Sequence, residues 1–333
     1  MFVLNSYAWA VVFCVITMFC WGSWANTQKL ARKGWRFELF YWDYSIGVLL
    51  LTLILGLTLG STGTVGRAFI PDLQQASHSS IQSALVGGAI FNAANILLVA
   101  AIDIAGMSVA FPVGIGLALV IGVLINYRAK PVDDPILLFA GVLLVVLAII
   151  LDAIAYRKIP GNSGGVSTKG LLLSVACGLL MGCFYRFVAA SMYPDFTVPE
   201  PGKLGPYAAV FIFSVGILLS SFILNTLVMK KPFVGQPVSF ADYFKGSFRT
   251  HLTGILGGII WGIGMSFNII ASGRAGFAIS YGLGQGATMV AAVWGVFIWK
   301  EFRTAPPVTG KLIAAMFACF LLGLGLIIFA RLS

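Results

Sequence analysis

The chain has 333 residues, of which 59% are hydrophobic and only 10% are charged. A soluble domain carries about a quarter charged residues, so a soluble fold would leave far too much apolar surface in water. Lipid is therefore the expected solvent for most of the chain. The net charge of +10 does not indicate a nucleic-acid partner, because the basic residues lie in short clusters between apolar runs. Such clusters contact anionic lipid and set topology.

Ten apolar runs are long enough to cross a bilayer as helices, which takes roughly 20 residues each. Those in the first half are Tyr7–Thr27, Phe40–Leu59, Gln82–Ile102, Met107–Tyr127 and Pro135–Ala155. Those in the second half are Gly170–Met192, Pro206–Met229, Leu252–Ala271, Phe277–Trp299 and Leu312–Phe329. The fold class predicted is an all-α, polytopic membrane protein, located in the cell (inner) membrane.

The sequence repeats itself within these runs. A shift of 170 positions aligns Gly87-Gly88 with Gly257-Gly258, and shifts of 163 and 169 extend the match to other helices. Each half then holds five helices, and because five is odd the second copy enters the membrane from the opposite side. We expect a first repeat over residues 1–156, a cytoplasmic linker over 157–169 and a second repeat over 170–333.

The loops differ in positive charge. Fourteen Lys and Arg residues lie in loops on one side of the predicted membrane and six on the other. Short cytoplasmic loops carry the excess of Lys and Arg, so both termini are predicted to be non-cytoplasmic.

Three stretches carry a resemblance to a known family. They are Cys-Trp-Gly-Ser-Trp-Ala at 20–25 with Trp-Asp-Tyr-Ser at 42–45, the segments 87–95, 106–110 and 126–127, and the segment 276–302 ending in Trp-Lys-Glu-Phe. On these residues the chain resembles the drug/metabolite transporter superfamily. It is most similar to the branch of ureide permeases, glucose/ribose porters and rhamnose–proton symporters.

The resemblance implies ten helices in two inverted halves and transport of a neutral polar solute, several members being proton-coupled. The chain lacks the long central loop of plant ureide permeases, which favours a bacterial-type porter. No cofactor is expected.

Polar and aromatic side chains inside the predicted helices are candidates for binding solute. Asn92 and Asn95 share one helix face, and their amides match hydroxyls or ureas, although bonds between helices are an equal alternative. Trp261 and Asn268 share a face of the eighth helix. Phe91 is the repeat mate of Trp261, and two such rings would sandwich a sugar ring or a planar heterocycle, although helix packing is the simpler interpretation for Phe91.

Five further residues are candidate ligands of the solute. Trp21 and Trp24 end the first helix, where tryptophan also serves as an interfacial anchor. Tyr281 and Gln285 offer a hydroxyl and an amide one turn apart in the ninth helix. Arg186 in the sixth helix would bind solute, pair with a carboxylate or extend to the interface.

Asp43 is the candidate for proton coupling. It lies just inside the second helix, where protonation would neutralise it and let the site reorient. The alternative is an ion pair with Arg32, Lys33 or Arg36 of the preceding basic loop.

These observations predict a secondary active transporter, proton-coupled and importing a monosaccharide such as ribose, glucose or rhamnose. A ureide, nucleobase or nucleoside permease is the alternative, and an exporter of drugs or metabolites ranks lower. An enzyme is not expected, since the two histidines, His78 and His251, fall in predicted loops and no metal-ligand spacing occurs. The expected partners are the solute, a coupling ion (a proton, with Na⁺ as the alternative) and lipid, with the chain a monomer or weak dimer.

Overall fold

A computed structural model describes residues 1–160 and 167–331, without the side chains of residues 107 and 108. In this part of the chain ten helical segments are long and apolar enough to cross a membrane. In chain order they are α1 Tyr7–Leu30, α2 Phe37–Leu57, α3 His78–Ala105, α4 Phe111–Ala129, α5 Pro135–Arg157, α6 Thr168–Ser191, α7 Pro206–Lys230, α8 Phe248–Ala275, α9 Phe277–Ile298 and α10 Val308–Phe329. The predicted all-α class with ten membrane-length helices is confirmed. Residues 161–166 of the predicted linker and 332–333 of the second repeat lie outside the described part.

Three of the ten segments are not uniform α-helices. The end of α1 is a 3₁₀ stretch, Trp24–Leu30, and α4 opens with a π-helical turn, Phe111–Ile115, around Pro112. Proline has no backbone N–H, so the regular bond pattern is lost there and the turn widens. Segment α9 is interrupted after Gly284 and ends in a second π-helical turn, Trp294–Ile298.

The chain divides into two compact units that alternate along the sequence. Unit 1 comprises Met1–Asn92 and Phe184–Arg274, and unit 2 comprises Ala93–Cys183 and the chain from Ala275 onward. Segments α3 and α6 contribute to both units. This division by contact differs in kind from the predicted division into linear repeats, which stays a prediction.

In unit 1 the interface between α2 and α7 repeats one contact. The hydroxyl of Ser45 lies 3.4 Å from that of Ser221, and the hydroxyl of Thr52 lies 2.8 Å from that of Ser214. At a shift of 169 positions, Ser45 aligns with Ser214 and Thr52 aligns with Ser221. Each helix therefore uses the same two positions against its mate, as a duplicated pair related by a local twofold axis would.

Glycines bring two further helix pairs of unit 1 into backbone contact. A Cβ on Gly258 of α8 would overlap the carbonyl oxygen of Tyr44, and a Cβ on Gly88 of α3 would overlap that of Phe213. Gly88 and Gly258 are repeat mates at 170, as are Tyr44 and Phe213 at 169. The α2–α8 and α7–α3 crossings therefore use the same close approach, which small residues permit in membranes.

Unit 2 contains its own glycine contact and a polar tie. Gly141 of α5 faces the carbonyl oxygen of Gly323 in α10, and Gly323 faces that of Gly141. The Tyr156 hydroxyl, near the end of α5, donates to Oε2 of Glu301 at 2.6 Å. The Trp-Lys-Glu-Phe stretch thus fixes the segment after α9 to α5.

Candidate functional site

Six aromatic rings, five of them buried and one (Trp21) half-buried, form a group within unit 1, here called the aromatic cluster. They come from six different helices, and the shortest separation, 4.4 Å between ring centroids, joins Phe91 to Trp261. The members are Trp21, Tyr44, Phe91, Phe184, Phe213 and Trp261. Phe91 and Trp261 are only 3% and 4% exposed, so the rings enclose one another rather than face lipid.

The aromatic cluster consists of two trios related by the repeat. In the Trp–Tyr trio, Trp261 lies 5.8 Å from Trp21 and 6.2 Å from Tyr44. In the Phe trio, its mate Phe91 lies 5.2 Å from Phe184 and 5.7 Å from Phe213. Trp21 aligns with Phe184 at a shift of 163 positions, Tyr44 with Phe213 at 169, and Phe91 with Trp261 at 170. The two trios share one arrangement, but only the Trp–Tyr trio carries side-chain atoms that form hydrogen bonds.

The polar atoms of the Trp–Tyr trio are only partly satisfied. The indole N–H of Trp21 donates to the backbone oxygen of Trp261 at 3.3 Å. The Tyr44 hydroxyl is fully buried and has no hydrogen-bond partner among the described residues. Trp24, at the start of the 3₁₀ stretch, packs its ring 4.7 Å from that of Tyr44. Because buried polar groups are nearly always bonded, this hydroxyl is the group most available to a bound solute.

The two asparagines of unit 1 that the sequence marks as candidate ligands are largely engaged between helices. The Asn92 amide nitrogen donates to the Ser220 hydroxyl at 2.7 Å and to the Ile217 carbonyl at 3.2 Å, both in α7. Its Oδ1 is buried without a partner in the described chain. Asn268 accepts a hydrogen bond from the Tyr185 hydroxyl at 2.7 Å. The donor side of Asn92 thus serves helix packing, while its acceptor side remains open to a ligand.

The other predicted solute ligands are not part of the aromatic cluster. Asn95, Tyr281 and Gln285 belong to unit 2 and are buried there. The Tyr281 hydroxyl lies 3.2 Å from the Ala118 carbonyl oxygen and 3.0 Å from that of Met181. Arg186 is half-buried on α6. A role for these four residues in solute binding stays a prediction.

Asp43 has partners that differ from those predicted. Its Oδ1 accepts from the Tyr243 hydroxyl at 2.6 Å, and its Oδ2 lies 2.9 Å from Nδ1 of His251. An ion pair with the basic loop is therefore wrong as a description of Asp43. The cause is that Arg36 pairs instead with Glu38, two residues along the chain.

The placement of both histidines in loops is also wrong. His78 begins α3, and His251 lies in the first turn of α8. Helix α8 begins at Phe248, four residues before Leu252, where the predicted apolar run begins. Ser247 caps this turn, because its hydroxyl accepts from the Thr250 N–H at 3.3 Å. The helix therefore begins in a polar segment that hydropathy alone assigns to a loop.

Sequence reasoning missed several members of the site. Tyr44 stood inside the Trp-Asp-Tyr-Ser stretch but was not selected. Phe184 and Phe213 follow from the repeat, since they are the mates of Trp21 and Tyr44. Tyr243 lies in the short helix Phe240–Phe244 between α7 and α8, and no comparable pattern in the sequence points to it.

The ten membrane-length helices of the described residues define a multi-pass membrane protein. The family model described as ureide permease matches residues 40–163 and 165–330. The chain therefore belongs to the ureide permease family, and the resemblance drawn from the sequence is confirmed. It is a transporter of small solutes rather than an enzyme.

Individual relatives agree with this assignment. Ureide permease 2 of Arabidopsis thaliana is 24% identical, and the match covers 96% of both chains. The probable glucose uptake protein GlcU of Bacillus anthracis is 23% identical over 65% of this chain and 68% of its own. A solved crystal structure that is 14% identical superposes with a TM-score of 0.59 and covers 96% of both chains, which shows the shared fold.

Proposed function

We propose that this protein carries a ureide, or a related ring compound with a urea edge such as a nucleobase, across the cell membrane. The observation that carries the proposal is the aromatic cluster with its unpaired hydroxyl, inside a chain of the ureide permease family. The plant ureide permeases match over nearly the whole chain, and the substrate class in the proposal is the one in their names.

The chemistry of the Trp–Tyr trio supports a flat solute with a polar edge. Indole rings offer broad apolar faces on which a heterocycle stacks. A urea group presents a carbonyl acceptor and N–H donors. The Tyr44 hydroxyl would donate to such a carbonyl, and Oδ1 of Asn92 would accept from an N–H, so both buried atoms would gain a partner.

A monosaccharide is the second candidate, and it was the first choice from sequence. Two glucose uptake proteins are among the relatives, over 65% and 36% of this chain. The apolar face of a sugar ring also packs on indole. We rank it second because the ureide permeases match more of the chain.

The proposed transport is import coupled to a proton, with Asp43 in the coupling centre. Its carboxylate is 2% exposed, and its hydrogen bonds come from two other segments of unit 1, so a change in its charge would reach both. The termini are proposed to be non-cytoplasmic, and the chain to act as a monomer or weak dimer. Sodium is the alternative coupling ion.

Proteoliposomes test this function. Purified protein is reconstituted, an inward proton gradient is imposed and radiolabelled allantoin is the probe, with empty liposomes and a protonophore as controls. We expect accumulation that the protonophore abolishes and that unlabelled uracil reduces more than glucose does. Accumulation of labelled glucose without allantoin would establish the second candidate, and uptake of neither would reject the proposal.

A further inference from the structure

Asp43, His251 and Tyr243 form a compact polar group at one end of unit 1, here called the Asp43 cluster. The three side chains come from α2, from the first turn of α8 and from the short helix Phe240–Phe244. Gly254 on α8 allows the approach, because a Cβ there would overlap the Cβ of Asp43. Each carboxylate oxygen of Asp43 has one partner, so the cluster joins three segments through one anion.

The imidazole of His251 packs between two aromatic rings and the Asp43 carboxylate. Its ring plane is steeply inclined to those of Tyr243 and Trp35, with centroids 4.6 Å and 5.6 Å apart. Nδ1 faces the carboxylate, so it carries a hydrogen, and Nε2 is the nitrogen left to accept a proton. Gly246 leaves room there, since a Cβ would lie 2.5 Å from Nε2.

Other charged groups near the cluster are already paired or exposed. On α2, Glu38 pairs with Arg36. In the short helix, hydrogen bonds from Lys245 and Ser239 lower the pKa of Asp242 to about 2, so it stays ionised. Arg249 of α8 is exposed.

Tyr243 acts as a fixed hydrogen donor. Burial, reinforced by its hydrogen bond to Asp43, raises the pKa of the Tyr243 hydroxyl, which therefore keeps its proton. Within the cluster, this leaves the pair of Asp43 and His251 as the titrating unit.

The repeat shows that this cluster has no counterpart. The mates of Asp43, Tyr243 and His251 are Ile212, Leu73 and Ile81. The glycine crossings, the hydroxyl pairs and the aromatic trios are all duplicated, but at these positions one copy is titratable and the other is aliphatic. The three members come from both halves of the repeat but lie together at one end of unit 1, and a set without a mate is expected of a function that one end alone performs.

We propose that His251, held by Asp43 as its counter-ion, is the group that binds the coupled proton. Proton binding at Nε2 turns a neutral imidazole beside a carboxylate into an ion pair, which tightens the joint between α2, α8 and the short helix. Loss of that proton loosens the joint. This assignment deepens the proposed function by moving the proton from the carboxyl to the imidazole. Its link to transport, but not the proton site itself, rests on that function.

Histidine-selective isotope labelling tests the site without any solute. The chain contains only two histidines, so NMR of the full-length protein gives two imidazole signals, and His78→Gln identifies the one from His251. We expect the imidazole signals of His251 to shift as the pH is varied, because the proposal requires this ring to bind and release a proton. Asp43→Asn should lower its proton affinity about tenfold or more, because a neighbouring opposite charge is lost. The His78 titration should not change.

The same variants decide against the proposal if they behave otherwise. An unchanged proton affinity of His251 in a folded Asp43→Asn protein would overturn it, as would an imidazole that does not titrate. If Asp43→Asn fails to fold, Tyr243→Phe replaces it. We expect a smaller, reproducible change in the His251 titration there, because the carboxylate loses one of its two donors. No change at all would overturn the proposal.

Transport supplies the second arm. His251→Gln should abolish gradient-driven accumulation of allantoin while exchange of labelled for unlabelled allantoin continues, and His78→Gln should do neither. Accumulation that persists in His251→Gln would overturn the coupling role. If the wild-type protein moves no allantoin, the proposed function fails, and the proton site is then judged by the titration alone.

Discussion

Phe91 and Trp261 occupy the same position in the two halves of the repeat, and their ring centroids lie 4.4 Å apart inside unit 1. Contact between repeat mates places them beside the local twofold axis of the duplication. Around them the two copies have kept their geometry but changed their chemistry. The trio that carries the indole and phenol groups, with members from both halves, is therefore where we place the recognition of solute.

The divergence of the trios gives a matched pair of variants, Trp21→Leu and Phe184→Leu. Stacking of a flat ring on an aromatic side chain contributes about 1–3 kcal/mol, so Trp21→Leu should weaken allantoin binding about tenfold or more. Phe184→Leu removes a ring of the Phe trio and should mainly reduce thermal stability. Scintillation-proximity binding, normalised to folded protein, measures both. Equal losses of affinity would contradict the division of roles.

The Tyr44 hydroxyl should matter for solute but not for folding. Because it has no partner among the described residues, Tyr44→Phe should leave the melting temperature unchanged or slightly raised. A neutral hydrogen bond contributes about 0.5–1.5 kcal/mol, so we expect allantoin affinity to fall about two- to tenfold. The control is Tyr185→Phe, which loses the bond to Asn268 and should destabilise the fold. A clear drop in stability for Tyr44→Phe would argue against this assignment.

The duplicated glycine crossings should be intolerant of a methyl group. Gly88→Ala and Gly258→Ala each place a Cβ against a backbone oxygen of the facing helix, and overpacking of this kind costs about 1–3 kcal/mol. Gly325→Ala in α10 is the matched control, because its Cβ would meet nothing within 4 Å. Thermal unfolding of the purified proteins compares them. Similar melting temperatures for all three would show that the crossings are looser than described.

The inverted relation of the halves is tested by labelling single cysteines in two loops. Val65 and Gln236 are exposed and lie between α2 and α3 and between α7 and α8, which are repeat-related loops. We expect a membrane-impermeant maleimide to reach Val65→Cys from outside intact cells, and Gln236→Cys only after lysis. The unaltered chain, with its five cysteines inside the spans, sets the background. Both sites labelled from the same side would refute the inversion.

Much of the fold was predictable because hydropathy and duplication act over long stretches. Twenty-residue apolar runs locate helices whatever their neighbours are, and the repeat pairs Phe91 with Trp261 without any structure. The kink at Pro112 was also predictable, since proline removes a specific bond.

The site was less predictable, because its partners depend on packing across the sequence. Asp43 stands next to a loop rich in basic residues, yet it bonds to groups 200 and 208 positions away. The first turn of α8 is polar, so the helix that carries His251 begins outside the apolar run. Which side of the Asn92 amide bonds to α7 likewise depends on a rotamer that no pattern in the sequence reports.

Equilibrium binding of radiolabelled allantoin to purified wild-type and Trp261→Ala protein is the most direct test of the Trp–Tyr trio as the solute site. We expect saturable binding by the wild-type protein and a loss of affinity of about tenfold or more in the variant, since Trp261 is the ring shared by the contacts of the trio. Unchanged affinity in a folded Trp261→Ala protein would place the solute elsewhere and contradict the account.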